Sequence, residues 1–186
     1  MSGPSGSGKS TVIERLMETC TRPLHLSVSA TTRVPRQGET DGKHYYFWTR
    51  ERFEREREAG AFLEWANVHG NCYGTLRREV EKPREQGKGL ILDIDVQGAA
   101  QVRKVCADAV TIFLRASSLD AYEQRLRKRG TESEAAIQRR LAAAKNELAH
   151  AAEYDYQVIN DDLETAVARL REIVDEQFDK GARNAG

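Results

Sequence analysis

Residues 3–10 constrain this chain more than any other segment, because they read Gly-Pro-Ser-Gly-Ser-Gly-Lys-Ser. They match the pattern G-x-x-x-x-G-K-[ST], in which backbone N–H groups, a lysine and a hydroxyl surround the phosphates of a nucleotide. Glycine lets the backbone approach anionic oxygens, and the helix that follows directs its positive end at them. The predicted phosphate-binding loop comprises Gly3, Pro4, Ser5, Gly6, Ser7, Gly8, Lys9, Ser10 and Thr11.

Three residues at the end of this loop have separate expected roles. Lys9 supplies a mobile positive charge, and Ser10 supplies an oxygen for the magnesium ion that accompanies a triphosphate. Thr11 is interpreted mainly as support for the helix. A Gly/Ser-rich segment is also typical of flexible linkers. A linker, however, would not lead directly into residues 12–17, whose apolar side chains share one helical face.

Composition limits the class of protein. A length of 186 residues suits one compact domain, and no apolar run approaches the ~18 residues of a membrane-spanning helix. Lys and Arg number 29, as do Asp and Glu, so there is no overall attraction to nucleic acid or anionic membrane. The three cysteines lack metal-ligand spacing. We expect a cytoplasmic protein with small-molecule substrates and neither nucleic-acid nor membrane partners, as a monomer or small homo-oligomer.

Alternating strand-like and helix-like segments predict an α/β fold. Strands are expected at 24–29, 45–48, 62–68, from 72, and at 90–92, 109–114 and 156–159. Helices are expected after the loop and at 50–59, 77–86, after 117–120, after a capping box at 131–134, and at 163–178. Residues 30–36 are expected to form a loop, and Pro83 argues against a continuous helix at 77–86. Only Met1-Ser2 precede the phosphate-binding loop, so we expect a truncated first core strand.

Two carboxylates follow the short apolar run at 90–92, which is typical of a parallel strand buried on both faces. Asp93 and Asp95 therefore lie at the carboxyl end of that strand, where ligands bind in open α/β sheets. A carboxylate there can order the water shell of magnesium. One of the two can instead cap the helix that begins at residue 96.

A phosphate-binding loop alone leaves ATPase, GTPase and kinase open. No Asn-Lys-x-Asp stretch of the GTPase type occurs in the chain. A small-molecule kinase needs a second anion site and an arginine-bearing lid. Arg33 and Arg36 flank a loop stiffened by Pro35 and can clamp a phosphate, with the hydroxyls of Tyr45 and Tyr73 as further donors. The tyrosines can also be ordinary core residues.

Glu64 lies within an apolar strand, between Leu63 and Trp65. A charged group seldom occupies such a position without a partner. The N1–H and exocyclic amino group of guanine form a donor pair that matches a carboxylate, whereas adenine presents an acceptor at N1. Glu64 is therefore a candidate for selecting guanine.

With these residues in place, the chain resembles the guanylate kinase family along nearly its whole length. The resemblance rests on residues 3–11, 27–36, 62–65, 71–75, 93–98, 129–131 and 158–162. It implies a P-loop kinase with a central parallel sheet flanked by helices. It further implies an ATP-binding core at 1–28, 76–122 and 153–186, a small β-rich GMP-binding insertion at 29–75, and a helical lid at 123–152.

The resemblance also implies transfer of the ATP γ-phosphate to GMP, giving ADP and GDP, with Mg²⁺. By position, the GMP-binding residues would be Ser29, Arg33, Arg36, Tyr45, Glu64, Tyr73, Thr75 and Asp95. ATP would contact the phosphate-binding loop and Asn160, and magnesium would contact Ser10 and, through water, Asp93. The catalytic residues would be Lys9 and the lid arginines Arg125, Arg129 and Arg140.

Two alternatives stay open at this point. The family includes modules that bind phosphopeptides and have lost much of the ATP site, but the complete Gly8-Lys9-Ser10 favours catalysis. A P-loop kinase with a different acceptor would be separated by comparing GMP with AMP, UMP and CMP.

Overall fold

The computed structural model describes residues 1–68, 70–128 and 133–184. Among them the helices are α1 (Lys9–Thr19), α2 (Arg50–Glu58), α3 (Arg77–Glu85), α4 (Val96–Val105), α5 (Leu119–Lys128), α6 (Glu134–Leu148) and α7 (Leu163–Asn184), with a 3-10 helix at Ala151–Glu153. The strands are β1 (Leu24–Leu26), β2 (Ala30–Thr31), β3 (Tyr46–Phe47), β4 (Phe62–Val68), β5 (Asn71–Leu76), β6 (Gly89–Ile91), β7 (Ile112–Arg115) and β8 (Tyr156–Ile159). No helix in these described ranges is long and apolar enough to cross a membrane.

The chain divides into two compact units. The loop unit contains Met1–Arg22 and the chain from Val110 onward, and the insert unit is Pro23–Ala109. Helices and parallel strand pairs occur in both, as the sequence predicts for an α/β protein. The functional division into a core, an insertion and a lid follows other boundaries and stays a prediction.

Parallel pairing anchors the start of the phosphate-binding loop in the loop unit. β7 pairs with β8, with Phe113 opposite Gln157. Ser2 forms a further parallel bridge with Phe113, because its N–H donates to the Ile112 carbonyl (2.9 Å) and its carbonyl accepts from the Leu114 N–H (2.7 Å). The residue just before the loop is therefore bonded to a core strand.

In the loop unit, α1 packs against α7. The α1 side chains Val12, Ile13 and Leu16 are buried, as the apolar face in the sequence predicts. The buried residues of α7 are Ala166, Val167, Leu170 and Ile173. Fully burying a side chain the size of Leu or Ile stabilises a fold by roughly 1.5–3 kcal/mol. Packing against α7 therefore stabilises α1, the helix that follows the phosphate-binding loop.

The insert unit contains a mixed four-stranded sheet in the order β3-β2-β5-β4. β4 and β5 form an antiparallel hairpin, β2 runs antiparallel to β5, and β3 runs parallel to β2. Under this sheet lies a buried cluster of Ala30, Trp48, Phe53, Phe62, Cys72 and Leu76. The rings of Phe53 and Phe62 stack with centroids 4.5 Å apart. A second, parallel pair joins β1 to β6.

Several predicted boundaries are wrong. The strand expected at 24–29 ends at Leu26, and residues 30–31, expected in a loop, form β2 because Ala30 and Thr31 pair with Gly74 and Tyr73. The strand expected from residue 109 begins at Ile112. The closing helix continues past residue 178 to Asn184.

Three further expectations also differ. α3 continues through Pro83, which lies in its last turn and is buried. β6 is half-buried rather than buried on both faces. The cap of α6 is Ser133, whose side chain accepts from the Ala136 N–H, and Thr131 of the expected capping box lies outside the described residues.

Candidate functional site

The phosphate-binding loop presents the open end of α1. Gly8 is the N-cap residue of α1, with φ +83° and ψ +20°. Because glycine has no side chain, no side-chain hydrogen bond caps the first turn of the helix. The first turn also carries no acidic residue. The N–H groups that begin a helix have no partner inside it, and the helix dipole places partial positive charge there. The local geometry therefore suits an anion.

Side chains at the start of α1 surround this open end. The Lys9 ammonium donates to the Gly3 carbonyl at 3.3 Å, so it folds back over the loop. Ser10 is exposed at the first turn. Thr11, which the sequence assigns to the phosphate-binding loop mainly as helix support, is also exposed and lines the adjacent cleft.

Two predicted functional residues contact the same backbone atom of the loop. The Asn160 side-chain amide donates to the Ser7 carbonyl at 2.7 Å, and the Arg125 guanidinium approaches it at 3.5 Å. Arg125 also donates to the Asn160 carbonyl. Arg140 donates to the Ser5 hydroxyl at 3.3 Å, whereas Arg129 lies outside the described residues.

A cleft of about 360 Å³ opens beside the loop. Its lining comprises Gly6, Gly8, Thr11, Arg125, Asn160, Asp161 and Leu163. Asp161 was missed by sequence reasoning. Its carboxylate accepts from the Ser117 N–H at 3.1 Å, and the Ser117 hydrogen bonds, with a smaller effect of Arg125, lower the pKa of Asp161.

In the insert unit, Glu64 is buried, with 4 % of its surface exposed. Its Oε1 accepts from the Thr75 hydroxyl at 2.6 Å and from the Thr75 N–H at 2.9 Å. Burial raises the pKa of Glu64, the bonds from Thr75 oppose that rise, and the charge of Asp95 adds to it. The structure thus brings together three residues predicted to contact guanine.

Asp95 and Ser29 have structural partners as well. Asp95 is the N-cap of α4, and its Oδ1 accepts from the Gly98 N–H at 2.9 Å. The capping role left open in the sequence therefore belongs to Asp95. Ser29 is buried, and its carbonyl accepts from the Tyr46 N–H at 2.9 Å.

Arg33 is held by a carboxylate that sequence reasoning missed. Its guanidinium donates to both oxygens of Glu39, at 2.8 and 2.9 Å, and to the Val34 carbonyl at 2.8 Å. Glu39 also accepts from the Arg36 N–H at 2.6 Å. The hydrogen bond from Arg33 is the main cause that lowers the pKa of Glu39. An acidic residue three positions after Arg36 was the available signal.

The two predicted tyrosines lie beside Arg33. Its guanidinium carbon is 5.4 Å from the ring centroid of Tyr45, and the rings of Tyr45 and Tyr73 meet edge to face at 6.0 Å. Burial, followed by the charge of Asp93, raises the pKa of Tyr45 to about 12. The Tyr45 hydroxyl therefore stays protonated at neutral pH and can donate a hydrogen bond.

Comparison with known proteins agrees with this geometry. The family model described as guanylate kinase matches residues 1–177. The chain is 50 % identical to a guanylate kinase of a Synechococcus species over 91 % of this chain and 89 % of that protein. It is 51 % identical to one of Rubrobacter xylanophilus over 94 % and 91 %. A crystal structure of guanylate kinase from Anaplasma phagocytophilum superposes with a TM-score of 0.76 at 36 % identity, covering 90 % of this chain and 81 % of that one.

Proposed function

This chain belongs to the guanylate kinase family and transfers a phosphoryl group from ATP to GMP, and we propose how its residues divide that work. The loop unit supplies the residues for ATP, and the insert unit supplies those for GMP. The assignment of GMP to the insert unit rests on the buried Glu64 carboxylate, which accepts hydrogen bonds from Thr75.

We assign the triphosphate to the open end of α1. Backbone N–H groups and Lys9 neutralise phosphate charge, and Arg125 and Arg140 lie on the loop at the Ser7 carbonyl and Ser5 hydroxyl. In phosphoryl transfer, positioning and charge neutralisation supply most of the rate enhancement. Asn160 shapes the neighbouring cleft, where we place the adenosine part of ATP. Arg129 remains a predicted member of the arginine set.

The donor set around the loop fits magnesium. No group of three or more His, Cys, Asp or Glu side chains is close enough to hold a metal in the part of the chain that the structure describes. Magnesium needs no such cage, because it keeps several waters and binds substrate phosphates with one or two protein oxygens. We propose the exposed Ser10 hydroxyl as one of these, and Asp93 acting through water stays a prediction. When bound, the ion neutralises charge on the transferred phosphoryl group.

Arg33, Tyr45 and Tyr73 form the proposed site for the GMP phosphate, with Arg36 from the same loop. The guanidinium of Arg33 has more N–H donors than its bonds to Glu39 and Val34 use. A phosphate can therefore bind without breaking the Glu39 pair. The phosphate is ionised at neutral pH, so the reaction needs no strong general base to activate it.

Glu64 is the proposed reader of guanine, with Thr75, Ser29 and Asp95 around it. Thr75 occupies Oε1 and orients the carboxylate, so that the group can accept the N1–H and amino donors of guanine. Adenine presents an acceptor at N1, so the buried carboxylate would keep its bonds from Thr75 but gain no donor at that position of the base. Such mismatches at a buried polar group discriminate strongly between substrates.

Glu64→Gln tests this assignment. The substitution keeps the side-chain shape but replaces one acceptor oxygen with a donor, so the KM for GMP should rise by about ten- to hundredfold, the size of one or two hydrogen bonds to a charged group. The KM for ATP should change little. Both constants are measured by coupled detection of ADP, with AMP, UMP and CMP as alternative acceptors. Equal losses for GMP and ATP would contradict the assignment.

A further inference from the structure

Gly98, in the first turn of α4, lies directly against the proposed guanine-reading carboxylate. It is a buried helical residue. A Cβ built there would overlap Glu64 Oε2, and it would lie 2.9 Å from Glu64 Cδ and 3.4 Å from Asp95 Oδ1. The space that Glu64 Oε2 occupies therefore exists because residue 98 has no side chain.

Neighbouring hydrogen bonds oppose a movement of α4 away from Glu64. The Gln101 amide donates to the Trp65 carbonyl at 2.7 Å, and its oxygen accepts from the Trp65 N–H at 3.2 Å. These bonds join α4 to the residue next to Glu64 in β4. Asp95 also holds the Gly98 N–H itself. A methyl group at position 98 must therefore be accommodated mainly by the end of the Glu64 side chain, which is more easily displaced than backbone.

We propose that Gly98 is a positioning residue for guanine selection, which sets the location of the Glu64 carboxylate by leaving space for Oε2. The inference rests on the proposed role of Glu64. Thr75 holds Oε1 from one side, and the bare Cα of Gly98 bounds Oε2 on the other. These contacts restrict where the carboxylate can lie before GMP binds.

Gly98→Ala is the test, with Gly181→Ala as the matched control. Gly181 is also a helical glycine, in α7, and a Cβ there meets nothing within 4 Å. Both substitutions add one methyl group, and both raise the intrinsic helix propensity by the same amount. Gly98→Ala should lower kcat/KM for GMP by about ten- to hundredfold, the effect of misplacing hydrogen bonds to a charged acceptor. It should also reduce the preference for GMP over inosine monophosphate, which lacks the 2-amino group, and leave the KM for ATP unchanged.

A double-mutant cycle shows whether Gly98 acts through Glu64. In a Glu64→Ala background the displaced group is gone, so adding Gly98→Ala should change GMP kinetics by less than about twofold, because the effects of two coupled sites do not add. If Gly98→Ala alone is too unstable to assay, the double variant Glu64→Ala/Gly98→Ala should have a higher melting temperature than Gly98→Ala, because the group that the methyl group displaces is gone.

Three results would overturn the inference. These are unchanged GMP kinetics in Gly98→Ala, an equal loss for ATP and GMP, and an undiminished effect of Gly98→Ala in the Glu64→Ala background. Failure of the underlying role of Glu64 would look different, because Glu64→Gln itself would then leave the KM for GMP unchanged.

Discussion

The two compact units bind their proposed ligands with different parts of the polypeptide. In the loop unit the site is mostly backbone, namely the open end of α1 and the carbonyls of Gly3 and Ser7 that Lys9, Asn160 and Arg125 contact. In the insert unit it is mostly side chains that are already paired with one another, as in Glu64 with Thr75 and Arg33 with Glu39. Backbone suits phosphates, which all nucleotides share, whereas side chains can distinguish one base from another.

In the insert unit, there is an energetic reason for side chains such as Glu64 to be hydrogen-bonded before a ligand binds. A buried carboxylate without a partner is costly, so Glu64 needs Thr75 even when no nucleotide is present. Groups held in their binding geometry lose less conformational entropy when the ligand arrives. Selectivity in this unit should therefore depend on small displacements of a few side chains, and phosphate binding in the other unit should depend on backbone conformation and charge.

The largest expected effect comes from Lys9, whose ammonium donates to the carbonyl of the loop's first glycine. Lys9→Ala should lower kcat by about a hundredfold to a thousandfold, the range for removing one preorganised group that stabilises transition-state charge. The KM for GMP should stay nearly constant. Lys180→Ala removes the same charge from an exposed site on α7 and serves as the control. A near-normal kcat for Lys9→Ala would contradict the proposal that charge at the phosphate-binding loop stabilises the transition state.

A second test separates backbone geometry from local crowding. Gly8 and Gly60 both have positive φ, +83° and +70°, but a Cβ at Gly8 would lie 2.5 Å from the Asn160 side-chain nitrogen, and one at Gly60 would meet nothing within 4 Å. Backbone strain of about 1–2 kcal/mol applies to alanine at either position.

Gly8→Ala should therefore lower kcat/KM for ATP by about ten- to hundredfold, since strain and a displaced Asn160 add up. Gly60→Ala should lower the melting temperature and leave both KM values unchanged. Steady-state kinetics and thermal melts of the two variants provide the measurement. Equal kinetic losses would show that the loop's conformation is not special to ATP binding.

The smallest expected effect is a pH dependence confined to GMP. Burial raises the pKa of Glu64 above its ordinary value of 4.5, so the carboxylate takes up a proton at a higher pH than an exposed glutamate does. Protonation removes an acceptor that guanine needs. As pH falls through this raised pKa, the KM for GMP should increase several-fold, about the size of one weakened hydrogen bond.

Glu64→Gln, measured over the same pH range, corrects for ionisation of the two nucleotides. Its KM for GMP should lack the additional rise at low pH. If wild type and Glu64→Gln have parallel pH profiles, the titrating group is not Glu64.

Local sequence patterns predict a large part of this fold. The phosphate-binding loop has a residue spacing that few other structures require. β4 and β8 have the predicted limits, because alternating apolar and polar residues and flanking turn residues mark them clearly. Glu64 stands out because it is charged within an apolar strand. These signals all lie within a few residues of the feature they predict.

Features that depend on contacts between residues far apart in the sequence could not be predicted from local sequence patterns. β2 exists because Ala30 and Thr31 pair with residues of β5 more than forty positions away. Asn160 reaches Ser7 across 153 positions. Nothing in the local sequence of Gly98 indicates that its missing side chain makes room for Glu64. Such roles arise from packing between elements, which a single sequence does not display.

Calorimetric titration of two variants tests the division of work most directly. GMP alone and a non-hydrolysable ATP analogue with magnesium are titrated separately into Lys9→Ala and Glu64→Gln. We expect Lys9→Ala to lose affinity for the ATP analogue and to bind GMP as wild type does. We expect Glu64→Gln to lose affinity for GMP and to bind the ATP analogue as wild type does. Loss of both ligands in both folded variants, or loss of the wrong ligand in either, would contradict this division of work.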